Sequence, residues 1–258
     1  RLAPKRGLVC GYIDDLYWAA NFAKMVKVIE FVTERGPAFG YTLNMKKCIY
    51  LMAPTGKALT DDELNQKLGI LTALGLPLEN IKIHPDCQPQ SPMDLLAKRR
   101  VEWGFKILGA FVGTDEYVVA SLRPKMDSLR ELSQILLRYS NVQARYFLHK
   151  ICFNGKINYW MRAQYPHHTT PFVNEFKDLQ MKLLASYHGI YDHEDFNRSR
   201  DHIAELYERA ALPIEKGGMG LRNISLISLT AFPCSLAVCL KDLAKYFPNW
   251  IALGREGG

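Results

Sequence analysis

The sequence predicts an α+β chain with its strands early and its helices late. Two observations carry this. Apolar runs at residues 8–13 and 16–20 flank the acid pair Asp14-Asp15, which reads as two short strands meeting at a tight turn. From about residue 120 onward, apolar residues recur three and four apart instead, the spacing of amphipathic helices. With 258 residues, 48% of them hydrophobic, the chain can bury one large core or two smaller ones.

The acid pair is the first chemical feature. Successive strand residues face opposite ways, so only a tight turn lets neighbouring Asp14 and Asp15 serve one small volume. Two crowded carboxylates make a hard-oxygen site suited to Mg2+ or Mn2+. Aspartate also favours turns for local backbone bonding alone, so the pair by itself does not decide the matter.

Residues 21–35 are predicted helical, with Phe22, Met25, Val26, Ile29 and Val32 forming the stripe that packs under the sheet. Gly36-Pro37 stops this helix, and residues 41–52 read as a further strand ended by Ala53-Pro54-Thr55-Gly56. From 57 to 100 the pattern changes. Thr60 and Glu63 form a capping box before a helix reaching about residue 74, and a proline-rich stretch follows. The segment reads as an insertion, and its second acid pair, Asp61-Asp62, is explained by the helix dipole.

After a hairpin within residues 107–119, Pro124 is placed in a first helical turn, with Met126, Leu129, Leu132 and Leu136 on one face. Asn141 is expected to cap a second helix ending near Asn154-Gly155, and residues 156–163 a third. Residues 171–187 read as an amphipathic helix carrying Phe172, Phe176, Leu179 and Leu183, followed by an acidic turn at 192–195. Gly217-Gly218-Met219-Gly220 follows no strand, so it reads as close packing or a turn rather than a phosphate cradle. Residues 224–243 are expected to be a core helix with a break near Pro233. The domain expectation is 1–120, 121–165 and 166–258.

The net charge of +7 is unevenly spread: residues 123–162 hold eight Lys or Arg and two acids. A phosphate backbone is the expected partner of such a segment. Six cysteines lie far apart without metal-ligand spacing and read as reduced core thiols of an intracellular protein, nuclear or cytoplasmic. No leader is evident, and no apolar stretch is read as long enough for a membrane span. The chain is expected to be an internal piece of a longer polypeptide without a membrane partner.

The segment Gly11-Tyr12-Ile13-Asp14-Asp15-Leu16 resembles the Tyr-x-Asp-Asp box of reverse transcriptases as non-LTR retroelements carry it. Gly40-Tyr41-Thr42-Leu43-Asn44-Met45-Lys46-Lys47 resembles the Gly-x-x-Leu-Asn-x-x-Lys segment that follows that box, and residues 105–113, with Leu108-Gly109, resemble the hairpin that supports the primer end. Residues 136–140 and 156–162 resemble the helical thumb, and residues 212–222 resemble the Leu-Pro…Gly-Gly-x-Gly-Leu-Arg tail. The resemblance spans most of the chain but not residues 57–100.

It implies a partial polymerase palm, an antiparallel sheet with the acidic hairpin and a packed helix, followed by a thumb and a C-terminal helical region. It implies Asp14 and Asp15 as metal ligands for Mg2+ or Mn2+, Tyr12 against primer or template, and Lys47 near the leaving pyrophosphate, with Lys46 beside it as the alternative. Leu108, Gly109, Arg138, Arg145 and Lys156 would meet nucleic acid. The implied partners are an RNA template, a DNA primer, deoxynucleoside triphosphates and the upstream fingers and palm of the same polypeptide. The family's other metal-binding Asp lies upstream of the box, so residues 1–258 alone are expected not to polymerise. Two other readings remain: a decayed or domesticated reverse transcriptase that only binds RNA or DNA, and a hydrolase using Asp14-Asp15 for one metal.

Overall fold

A computed structural model describes residues 8–12, 15–53, 59–87, 93–190 and 193–246, with backbone alone for 8–12, 15, 93, 95, 96, 193, 243 and 246. The chain divides into two compact units, Arg1–Phe105 and Lys106–Gly258.

In the first unit, β1 (Leu8–Tyr12) and β2 (Asp15–Ala19) pair antiparallel, Leu8 opposite Ala19 and Tyr12 opposite Asp15. Asn21 caps α1 (Phe22–Arg35) by accepting a bond from the Lys24 amide at 2.9 Å. The expected stripe is real: Met25 and Ile29 are buried, with Phe22, Val26 and Val32 half-buried. The chain then tightens into a 3-10 turn, Gly36–Phe39, closed by the Tyr41 amide on the Gly36 carbonyl. A side chain at Gly36 would bring its Cβ within 2.6 Å of the Tyr41 oxygen, so glycine is required there.

The strand expected over 41–52 shrinks to β3 (Tyr50–Met52), because Asn44 and Cys48 bracket a 3-10 turn at Met45–Lys47. The capping box at Thr60 and Glu63 opens α2 (Asp61–Ala73) as expected. A short turn leads to β4 (Ile81–Ile83), which pairs with β3 in parallel. Residues 57–100 therefore do more than interrupt the unit. Leu71, Leu76 and Ile81 are its buried centre, with Phe22, Met45, Tyr50 and Leu68 packed on them. Burying such side chains contributes roughly 1.5–3 kcal/mol each. After α3 (Met93–Glu102), β5 (Gly104–Ile107) and β6 (Ala110–Gly113) form a hairpin. Among the described residues the strands make three separate pairs, one of them parallel, rather than the single antiparallel sheet expected.

Beyond β6, the second unit is helical. Thr114 caps α4 (Asp115–Arg138), so the helix starts nine residues before Pro124, which lies inside it rather than in a first turn. Met126, Leu129 and Leu136 are buried as expected. Asn141 caps α5 (Val142–Phe147) through the Ala144 amide, and a π-helical turn, Leu148–Phe153, carries the chain to α6 (Asn158–Ala163). Pro166 opens α7 (Pro166–Tyr187) five residues earlier than Pro171, the expected start. Then come α8 (His193–Arg198), α9 (Arg200–Ala210) and α10 (Ile224–Tyr246).

Helices α4 and α7 run in the same direction, since Asp115 meets His168 at their starts and Arg123 meets Glu175 further along. Their facing sides supply Val118, Leu122, Met126, Phe172, Phe176 and Leu183 to one core, where Phe153 stacks on Phe176 at 4.7 Å. That core joins the expected thumb and the first part of the C-terminal region into one body. A second cluster, around Phe196, Ile203, Tyr207 and Leu221, binds α9 to the far half of α7.

Several expectations fail here, and α10 runs through Pro233 without the expected break. Only the start of α10 is core: Leu226, Leu229, Leu236, Val238 and Leu240 are exposed. The stretch Ile224–Asp242 is also long and apolar enough to cross a membrane by length and composition, with mean hydropathy 1.7 and 11% of it buried. Scattered Ser and Thr and Pro233 disguise that length in the sequence. Among the described cysteines, Cys87 is buried but Cys152, Cys234 and Cys239 are exposed free thiols, so they are not all core groups.

Candidate nucleic-acid interface

In the first unit, the β1–β2 register brings Tyr12 opposite Asp15 and leaves only positions 13 and 14 to join them. Asp14 lies outside the described residues, and for Tyr12 and Asp15 the structure describes the backbone alone. Lys46 and Lys47 are both exposed, on the 3-10 turn Met45–Lys47; that turn is tied down where Asn80 donates to the Lys46 carbonyl at 2.9 Å.

In the second unit, the tip between β5 and β6 is a two-residue turn. Leu108 has φ 47° and Gly109 φ 87°, the pair of positive angles that primed hairpin turns require. Leu108 is the sole described non-glycine residue with positive φ, a strained position of the kind found at functional sites. Tyr159, on α6, explains how it is held. Its hydroxyl donates to the Leu108 carbonyl, and its ring lies where a Gly109 Cβ would come within 3.3 Å. The turn residues were legible from the sequence; Tyr159, separated from them by fifty positions, was not.

Beside the tip, Lys125 reaches over the Phe111 and Trp160 rings, its ammonium 5.4 and 5.7 Å from their centres. Partial burial, then the charge of Lys106, holds its pKa below the usual lysine range. Neither lysine meets an acid among the described residues. A positive site of this kind favours an anion.

The basic segment proves to be two populations. Arg138, Lys156 and Arg162 are exposed and make no ion pair among the described residues. Arg123 and Arg130 are committed to Glu175, Arg123 at 2.8 Å. Arg145, expected at the nucleic acid, is 2% exposed. Its guanidinium donates to the Leu137 carbonyl at 3.1 Å and lies over the Tyr187 ring, so it braces the helices and does not present itself to a phosphate. Lys150 donates to the Met219 carbonyl and the Tyr146 hydroxyl, each at 3.2 Å.

Those contacts give the glycine loop its meaning. A Cβ on Gly218 would fall 2.0 Å from the Leu212 oxygen, so the loop folds flat on itself and offers Met219 to Lys150 and Tyr146. This is close packing, as expected. Beneath it, His149 is fully buried and burial lowers its pKa to about 4; its Nδ1 meets the Tyr187 hydroxyl at 3.1 Å.

Among the described residues one side-chain group has metal-ligand character: Asp115, His167 and His168, whose donor atoms all lie within 4.8 Å of one another. The sequence hides it because Asp115 lies about fifty residues before the adjacent His167 and His168. No known protein family's profile matches the chain, and no curated protein or solved structure does either.

Proposed function

We propose that residues 1–258 are the palm end and thumb of an RNA-directed DNA polymerase of the non-LTR retroelement type, working inside the cell with the upstream fingers and palm of the same polypeptide. The single observation that carries this is the Tyr-x-Asp-Asp box on an antiparallel hairpin, with Tyr12 paired to Asp15 across it. The strained Leu108-Gly109 tip and the exposed Arg138, Lys156 and Arg162 support it.

In this reading Asp14 and Asp15 hold Mg2+ or Mn2+, whose preference for oxygen donors their carboxylates meet. The metals supply charge neutralisation on attacking and leaving oxygens. Lys47, exposed on its turn, approaches the pyrophosphate, and Tyr12 lies against primer or template; the Leu108-Gly109 tip, Arg138, Lys156 and Arg162 meet nucleic acid. Residues 1–258 alone supply one part of the metal site and do not extend a primer.

The test joins residues 1–258 to the upstream fingers and palm and measures extension of a DNA primer on an RNA template with Mg2+. The intact protein extends and Asp14→Asn does not, while both bind the duplex. Extension that survives Asp14→Asn contradicts the proposal. The exposed basic groups also favour a second reading, a nucleic-acid-binding module without catalysis; salt-dependent binding with no extension by the joined protein selects it.

A further inference from the structure

We propose that Asp115, His167 and His168 form a binding site for a late first-row transition metal, Zn2+ foremost, at the shared N-terminal end of α4 and α7. The inference is independent of the polymerase reading. Because the two helices run in the same direction, the first turn of one meets the first turn of the other. Asp115 Oδ1 lies 3.4 Å from His167 Nε2 and 2.8 Å from His168 Nε2. A tetrahedral ion bound at roughly 2.0–2.1 Å sets its ligand atoms about 3.3 Å apart. The first separation fits as it stands, and the second fits after opening by about half an ångström on the same geometry.

The three side chains divide the work. His168 is 7% exposed, and its Nδ1 is buried without a hydrogen-bond partner, so Nε2 is its one outlet and points at Asp115. It is the fixed inner ligand. Asp115 and His167 are 74% and 59% exposed and close over the ion from the solvent side, leaving a remaining position for water. Tyr165, 5.8 Å from the His167 ring and 4.9 Å from Phe232, limits how far that ring can swing.

Donor chemistry sets the class of ion. Two imidazoles and one carboxylate suit Zn2+, Ni2+ or Cu2+, and not Mg2+, which demands oxygen. The positive ends of two helix dipoles oppose a cation here, and the adjacent carboxylates Asp115 and Glu116 in the first turn of α4 offset them. A bound ion ties α4 to α7, so its binding free energy adds to the stability of the helical unit.

The experiment is titration calorimetry of the full chain with ZnCl2, in a background where exposed Cys152, Cys234 and Cys239 are Ser so that thiols do not compete. One equivalent of Zn2+ is taken up and melting shifts upward, whereas any Mg2+ uptake, which the polymerase reading assigns to Asp14 and Asp15, is the same in Asp115→Asn as in the background protein. Asp115→Asn and His167→Ala, both surface changes that leave the core packed, each weaken uptake by at least tenfold, the lower bound for loss of even an outer-shell partner. Absence of uptake by the background protein overturns the proposal. So does uptake that the two variants leave unchanged.

Discussion

The basic segment between Arg123 and Arg162 looks uniform in sequence, yet it interleaves groups that live in different physical worlds. Arg145, Lys150 and neighbouring His149 are turned inward, onto carbonyl oxygens, aromatic faces and the Tyr187 hydroxyl. Arg138, Lys156 and Arg162 stand in solvent. Charge density along a chain therefore counts candidate phosphate ligands only after the structural ones are removed. What separates them is the element that carries them: α5 and the π-turn hold the inward set against Tyr187 and the Met219 loop, while the outward set sits at the end of α4, on the turn before α6 and on α6.

The core beneath the inward set gives the largest effect. Phe176, fully buried against Phe153, should cost about 3–5 kcal/mol when cut to alanine; chemical denaturation measures it, and a loss below about 1 kcal/mol would mean the stack adds little packing. Next comes His149. Its folded pKa of about 4 lies below the ordinary 6.5, so above pH 6.5 neither state binds the proton and stability is full. Below that the unfolded chain alone takes it up, and stability falls by up to about 3 kcal/mol on the way to pH 4. His149→Phe should flatten this part of the stability profile; a profile just as steep in the variant would place the acid sensitivity elsewhere.

Arg145→Gln is the sharpest contrast with the exposed set. It should lose roughly 1.5–3 kcal/mol, the worth of a charged hydrogen bond, and leave the salt dependence of nucleic-acid binding untouched. Arg138→Gln, Lys156→Gln and Arg162→Gln should do the reverse. Each should change stability by less than about 0.5 kcal/mol and reduce the log–log salt slope of duplex binding by about one. If Arg145→Gln flattened the slope and the other three did not, the division would be wrong.

Local signals were legible in the sequence wherever neighbours in the chain decide the outcome. The α1 stripe, the Thr60 and Asn141 caps and the Leu108-Gly109 turn all belong to this class. Proline misled three times, and at Pro233 the expected break is absent from α10. Pro124 and Pro171 were read as helix starts, but Thr114 and Pro166 begin the helices earlier and the prolines sit inside. The β3–β4 parallel pairing escaped because it joins three-residue strands across thirty positions, and hydrophobic period alone cannot name a partner. Helix α10 shows the same limit: its composition promised burial, and the second unit covers only its first turns. At the candidate site, the acids were legible as a motif, whereas Tyr159 under the hairpin tip and the His pair at Asp115 needed the fold to bring them together.

We have proposed that Asp14 and Asp15 mark a nucleotide-adding centre. Its most direct test is primer extension on an RNA template by residues 1–258 joined to their upstream fingers and palm, with Asp14→Asn alongside. Extension should depend on Mg2+ and be abolished by this one substitution while duplex binding persists; extension retained by Asp14→Asn would rule out the proposed centre.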